Sequence, residues 1–390
     1  MKICLINNLY KPYNRGGAER VVEIVVEGLK KAGHEVVIIS TQPTRVPSTP
    51  KGCSAPSVFN FYPWNIISYY NLNKLPIILR LPWHIVNIFN LQSYFRIKKI
   101  LKAEQPHLVM THNLMGVGFL TSLAIRKLKI KSIHTLHDIQ LLHPSGLMFV
   151  NKEKKVNSFL AKIYQAINKK LFGSPEVVIS PSKWLLEMHK QAGFFSNSKC
   201  VVLRNPMVKC HSREGGNLDN ERDSRLRGND MVFLYVGQIE KHKGVDLLLD
   251  AFSELKDKNS QLWIVGDGNN ELGIRNHELG NIKMFGKKTP EEVKELMQTA
   301  DCLVVPSLCY ENCPTVILEA MSVDLPVIGS DIGGIPELLD NDLVFKAGNQ
   351  QSLVNKMQWV IENKDKLQKI NENKPKEGSV EKYVDKILSL

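Results

Sequence analysis

Short apolar runs alternate with amphipathic helical stretches along almost the whole chain, and this alternation restricts the folds open to it. In the first half the runs are Ile3–Ile6, Glu35–Ser40, His107–Thr111, Lys131–Leu136, Glu176–Ile179 and Cys200–Leu203. Between the first two, Ala18–Lys31 has the period of an amphipathic helix, stopped by Gly33. The pattern resumes at Met231 with Val232–Val236, Leu262–Val265, Ile282–Phe285, Cys302–Val305 and Val327–Gly329. Runs that mostly lack polar alternation (Lys131–Leu136, with Ser132, His134 and Thr135, is the exception), separated by helical stretches, describe strands buried on both faces of a parallel sheet. The expected fold class is therefore α/β, with two doubly wound, Rossmann-like domains. At 390 residues the chain is too long for one ordinary core. The expected division is 1–204, a linker over 205–230, and 231–390.

Two stretches depart from this regularity. Cys210–Asp230 is polar, rich in Gly and Arg and nearly free of apolar residues, so it is expected to be a disordered insertion within the linker. Extra loop length there costs only about 0.6 kcal/mol per doubling. Ser57–Lys102 is rich in aromatic residues. Its apolar part, Leu75–Phe95, is broken by Pro76, Arg80, Pro82 and His84, which makes a poor membrane span, and it runs into Arg96, Lys98, Lys99 and Lys102. Such a sequence suits either a membrane interface or a buried helix with a solvated end.

Charge is unevenly divided. Residues 1–204 carry 28 Lys+Arg and 9 Asp+Glu, a balance of +19, whereas residues 205–390 carry 23 and 30, a balance of −7. A basic first half suggests an anionic partner, namely a membrane surface or a phosphorylated acceptor. No motif of a nucleic-acid reader is visible, and nucleic acid is not expected. A soluble domain that is merely Lys-rich stays open as the plainer account. The seven cysteines form no C-x2-C pair, and Cys309 and Cys313 lack nearby His or Cys. Zinc is not expected, and free thiols in a reducing cytosol fit the pattern. The N-terminus reads as a strand and not as a signal peptide, so the expected location is cytoplasmic or peripheral on the inner membrane face.

The candidate chemistry lies at strand ends. Glu311 and Glu319 stand eight residues apart, the first in the loop after Cys302–Val305 and the second about two turns into a helix starting at Thr315. The N-terminus of that helix offers unpaired N–H groups and a positive dipole end, a place for phosphate. Carboxylates on either side of a phosphate site suit a nucleotide sugar; a solvated Glu followed by a helix-face Glu is the alternative for this spacing alone. Gly16-Gly17 opens the helix at Ala18, where backbone can approach an anion closely. His112 and His137-Asp138 follow strands. Lys243-Gly244 opens the first helix after Met231, and Gly237 ends the preceding strand.

In this order and spacing, together with Asn205-Pro206 and Gly333-Gly334-Ile335-Pro336-Glu337, these motifs resemble the retaining GT-B glycosyltransferases of family 4 over nearly the full length. The pair Glu311 and Glu319 matches that family's E-x7-E signature. The resemblance implies two sheets facing a cleft and transfer of a sugar from a nucleotide-sugar donor, UDP- or GDP-linked, without a metal or other cofactor. The implied acceptor is lipid-linked or a glycan, in cell-surface polysaccharide synthesis. The resemblance also implies catalytic roles for His112, Lys243 and Glu311. Donor contacts would come from Gly16, Gly17, Gly237, Gln238, Asp267, Thr315, Val316 and Glu319, with His137 and Asp138 on the acceptor side. Gly333, Gly334 and Glu337 would complete the rim. Gln238 stands where the family commonly has Arg, and Cys313-Pro314 where it often has Phe-Gly. A GT-B sugar-nucleotide epimerase and a non-catalytic nucleotide-sugar binder are the alternatives.

Overall fold

A computed structural model describes residues 1–13, 16–45, 58–207, 231–257, 259–268, 280–372 and 378–390. The insertion expected at 210–230 lies outside them. The first sheet contains β1 (Lys2–Ile6), β2 (Glu35–Thr41), β3 (Val58–Phe61), β4 (Leu108–Thr111), β5 (Lys131–Thr135), β6 (Val177–Ser180) and β7 (Lys199–Val202). They lie in the order β3-β2-β1-β4-β5-β6-β7, and every pairing is parallel. The second contains β8 (Val232–Val236), β9 (Gln261–Val265), β10 (Ile282–Gly286), β11 (Cys302–Val305), β12 (Val327–Ser330) and β13 (Val344–Phe345), in the order β10-β9-β8-β11-β12-β13. Its pairings are parallel as well.

The strands form where the apolar runs were read because both faces of each sheet are covered. In β1, Ile3, Cys4, Leu5 and Ile6 are all fully buried, as are Leu262, Trp263 and Ile264 in β9. Strand order reverses between β1 and β4 and again between β8 and β11. Connections leaving such neighbours diverge and open a crevice at their carboxyl ends. Gly16, His112, Lys243 and Glu311 all follow one of these four strands.

The helix Gly17–Lys31 lays Val21, Val22, Val25, Val26 and Leu29 against β1 and β2, with Glu19 in its first turn and Lys30 and Lys31 in its last, the charge order its dipole favours. The C-terminal helix Val380–Leu388 packs on it through Tyr383, Val384 and Ile387. Contacts divide the chain into one unit of Met1–Leu147, Lys154–Pro206 and Gly378–Leu390, and a second of Met148–Glu153 and Met207–Glu377. Two segments therefore group apart from the linear division at 204 and 231: residues 148–153 go with the second sheet and 378–390 with the first. The 148–153 strap is tied by Val150 N–H to the Leu308 carbonyl at 3.0 Å and by Tyr310 N–H to the Met148 carbonyl at 2.9 Å.

Four local expectations change. β3 and β13 are strands that the apolar pattern did not reveal: β3 is an edge strand carrying Asn60, and β13 has only two residues. The irregular aromatic stretch resolves into the helices Ile77–Ile88, with Pro82 inside it, and Leu91–Glu104. Glu319 is the fifth residue of the helix Thr315–Ser322, little more than one turn in and not two. No helix among the described residues is long and apolar enough to cross a membrane.

Candidate active site

In the second unit the site begins where β8 and β9 end together. Gly237 N–H donates to the Val265 carbonyl and Ile239 N–H to the Asp267 carbonyl, each at 3.0 Å. The Tyr235 hydroxyl donates to the Gln238 carbonyl at 2.7 Å, while the Gln238 residue stays exposed. Asp267 is exposed and accepts from Gly268 N–H. A short turn, Lys241–Lys243, follows and ends at Gly244 with φ +75°. A Cβ on Gly244 would lie 1.9 Å from the Pro306 carbonyl oxygen, so the loop after β8 reaches the end of β11 only because residue 244 has no side chain.

That approach sets Lys243 beside Glu311, with Nζ and Oε1 3.1 Å apart. Ser307 Oγ donates to the same carboxylate oxygen. The Glu311 backbone is held as well: Gly334 N–H donates to its carbonyl at 2.7 Å, and a Cβ on Gly333 (φ +64°) would lie 2.3 Å from that carbonyl oxygen. Burial works against the Lys243 ammonium, but the Glu311 carboxylate more than offsets it, so the Lys243 pKa is raised and the group stays charged at neutral pH. The helix Thr315–Ser322 starts after Pro314, and among the described residues no side chain caps its first N–H groups, those of Thr315 and Val316. Glu319 lies exposed on this helix. Among the described residues no group of three or more His, Cys, Asp or Glu is placed to hold a metal ion.

In the first unit His112 and His134 are buried and His137 and Asp138 half-buried. His112 Nδ1 lies 3.0 Å from His137 Nε2, so one proton is shared between the two rings. Burial holds His112 well below the usual imidazole range and His137 down to about 4. His134, bonded to Thr111 Oγ1 at 2.9 Å, is held down to about 3 by the same cause. All three rings are therefore neutral at pH 7. Asp138 moves the other way: burial raises it to about 7, the nearby Glu19 adds to the rise, and the N–H of Gln140, donated at 2.7 Å, opposes it. A cavity of about 20 Å³ lies among His112, His137, Asp138 and Gln140, space for one water. His112 Nε2 is buried and meets no hydrogen-bond partner among the described residues.

Gly16 and Gly17 open their helix as read, and Gly16 N–H donates to Glu19 Oε2 at 2.8 Å, so a carboxylate of the chain already occupies that N-terminus. Glu19 is not among the expected site residues, although its place three residues after the cap is a capping-box spacing. Ser307, His134 and the Tyr310–Glu153 hydrogen bond of 3.0 Å were missed too, and no local pattern marks them. The structure thus brings Lys243 and Glu311 together in one unit, and His112, His137 and Asp138 together in the other.

The profile of the family described as glycosyl transferases group 1 matches residues 217–377, and that of Glycosyltransferase Family 4 matches residues 15–207. An uncharacterised 42.6 kDa protein of the cps region of Klebsiella pneumoniae is 27% identical over 344 residues, 87% of either chain. The putative teichuronic acid biosynthesis glycosyltransferase TuaC of Bacillus subtilis is 31% identical over 191 residues, 47% of this chain and 46% of its own. Among solved structures, Anabaena Alr3699/HepE in complex with UDP superposes with a TM-score of 0.73 at 18% identity, over 100% of this chain and 99% of that one. The chain belongs to the GT-B glycosyltransferases. In this glycosyltransferase the two profiles divide the site residues between them. His112, His137 and Asp138 fall in the first matched span, and Lys243, Glu311 and Glu319 in the second. Charge that develops on a leaving group can be met in the second unit by the Lys243 ammonium and by the open helix end at Thr315.

Proposed function

We propose that this glycosyltransferase moves a sugar from a nucleotide-sugar donor, UDP-linked in the first instance, to a lipid-linked or glycan acceptor in cell-surface polysaccharide synthesis. The transfer proceeds with retention at the anomeric carbon and without a divalent ion. The carrying observation is the Lys243–Glu311 ion pair of 3.1 Å beside the uncapped start of the helix Thr315–Ser322. With donor bound, Lys243 is shared between Glu311 and the diphosphate, the N–H groups of Thr315 and Val316 meet phosphate oxygen, and Glu319 takes the ribose hydroxyls. Gly237, Gln238 and Asp267 border the nucleotide. As the bond between the anomeric carbon and the diphosphate oxygen breaks, the acceptor oxygen bonds to that carbon on the same face. The acceptor proton goes to the departing diphosphate, so no separate general base is needed. His112, whose buried Nε2 has no hydrogen-bond partner among the described residues, binds a hydroxyl of the transferred sugar, and His137 and Asp138 face the acceptor. Support for a UDP donor comes from HepE, solved with UDP, and support for the polysaccharide setting from TuaC and the cps-region relative.

The enzyme works at an anionic membrane surface in this reading. Residues 36–103 carry eight Lys+Arg and no Asp or Glu. On the helix Ile77–Ile88, Ile78, Leu81 and Ile85 form an exposed apolar row at helical spacing.

The test is a thermal-shift series against UDP-, GDP-, ADP- and dTDP-sugars, with and without chelator, followed by the anomeric configuration of the product. Ligand at about 100 times its Kd stabilises a fold by about 2.7 kcal/mol. A shift confined to one nucleotide and unaffected by chelator is expected, with an axial product from an axial donor. An inverted product, or no shift from a folded sample, would refute the reading; the second result favours a non-catalytic protein and points to Gln238.

A further inference from the structure

A second space lies at the β3 edge of the first sheet, apart from the residues assigned above. The turn after β3 is tied to the helix Leu91–Glu104: Trp64 N–H donates to Gln92 Oε1 at 2.7 Å, and Gln92 Nε2 donates to the Tyr62 carbonyl at 3.2 Å. Around this turn opens a polar cavity of about 540 Å³ lined by Arg45, Asn60, Trp64, Gln92 and Arg96. Trp64, Gln92 and Arg96 also line the adjoining groove of about 820 Å³, whose walls are Phe59, Leu91, Phe95 and Ile100. The two spaces thus adjoin across a shared wall, one cationic and one apolar.

The cationic end is arranged for an anion. The Arg45 guanidinium stacks 5.5 Å from the Tyr62 ring centre and that of Arg96 5.3 Å from the Phe61 ring centre. A guanidinium held by its face keeps its in-plane N–H groups for a phosphate. Among the described residues neither guanidinium is within ion-pair distance of a carboxylate. Glu104, the acid that borders the groove, is already bonded to Lys2 Nζ at 2.9 Å. The apolar end is open to water: Trp64 is 72% exposed, Leu91 59% and Phe95 64%. Contiguous apolar exposure of this kind marks a binding surface.

We propose that the two spaces hold one molecule, a lipid phosphate. Its phosphate lies between Arg45 and Arg96 and its hydrocarbon chain lies along Phe59, Leu91 and Phe95, with Trp64 at the junction. The inference rests on the reading of the acceptor as lipid-linked and names where its lipid end binds. A concave groove beside a cationic cavity suits a single chain with a phosphate head, whereas the row Ile78, Leu81 and Ile85 suits a bilayer.

The probe is dodecyl phosphate below its micelle concentration, followed by tryptophan fluorescence, with dodecanol and inorganic phosphate as partial ligands. A saturable blue shift at one equivalent is expected, absent in W64F. R45Q and R96Q, at exposed positions, each weaken binding about tenfold, and F95S does likewise. The UDP thermal shift persists in all four variants, which certifies their folding. Dodecanol binding as tightly as dodecyl phosphate with no effect of R45Q or R96Q would overturn the proposal. Inorganic phosphate producing the whole effect, or binding seen only to anionic vesicles at many lipids per protein, would overturn it too. If UDP gives no shift in the unaltered protein while dodecyl phosphate still binds at one equivalent, the catalytic reading fails and the lipid-phosphate site stands.

Discussion

The two site clusters treat polar groups in opposite ways. In the second unit Lys243 and Glu311 keep their charges, paired at 3.1 Å and supported by Ser307. In the first, His112, His137 and His134 are stripped of charge by burial, and Asp138 is brought to about 7. A cluster built from an ion pair and an open helix end holds a fixed field ready for a charged leaving group. A cluster of neutral, hydrogen-bonded rings distinguishes hydroxyls and exchanges protons. The first kind is insensitive to pH near neutrality and sensitive to loss of one partner; the second is the reverse.

Removing one partner gives the largest expected effect. Lys243→Ala should cut transfer about 10³-fold, the scale for loss of one group that stabilises developing charge. Initial rates with a UDP-sugar measure it, and a loss under tenfold would end the comparison. Next comes the approach that builds the pair. Gly244→Ala puts a Cβ 1.9 Å from a carbonyl oxygen at φ +75°, and should destabilise the second unit by about 3 kcal/mol in urea unfolding. An unchanged urea midpoint would mean that this contact does not hold Lys243 in place. Glu319→Ala should weaken UDP binding about 10- to 100-fold by calorimetry, as loss of hydrogen bonds to a charged group does.

The neutral cluster is tested by pH. The histidines have folded pKa values below the unfolded value of about 6.5, so the native state binds fewer protons than the unfolded one and stability falls as pH drops from about 6.5 towards 4. Asp138 is raised from about 3.9 to about 7, so the native state binds more protons in that window, and its contribution grows as pH drops through it. The two oppose each other. Asp138→Asn should therefore lose stability on acidification more steeply than the unaltered protein, by about 1 kcal/mol per pH unit at most. Parallel unfolding curves from pH 7 to 4.5 would place Asp138 in a solvated environment. The smallest effect belongs to Gln238→Arg, which should tighten UDP binding several-fold by adding one charge-assisted hydrogen bond. If it does not, the exposed Gln238 lies outside the nucleotide site.

Much of the fold was readable because most parallel strands buried on both faces appear in sequence as apolar runs. β8 and β11 begin and end as read, and the helix at Thr315 starts where the pattern placed it. β3 was not readable, since an edge strand with Asn60 has a weak apolar signal. The row Ile78, Leu81 and Ile85 was visible as apolar residues, but whether it faces core or water is a property of its neighbours. Glu19 had a readable spacing to Gly16, yet its electrostatic effect on Asp138 depends on how near the fold brings two carboxyl groups that are far apart in the chain.

The sequence by itself therefore determined most element types, the parallel class, the positions of Gly16, Gly244 and Gly333, and the spacing of Glu311 and Glu319, because each depends on local periodicity or on the absence of a side chain. Tertiary structure alone decided that Lys243 meets Glu311, 68 residues on in the chain, and that His112 meets His137. It likewise decided that residues 148–153 join the second unit and 378–390 the first. These outcomes follow from which strands sit side by side, and strand order is selected by the burial of whole sheet faces, a sum over many distant contacts that no local stretch of sequence contains.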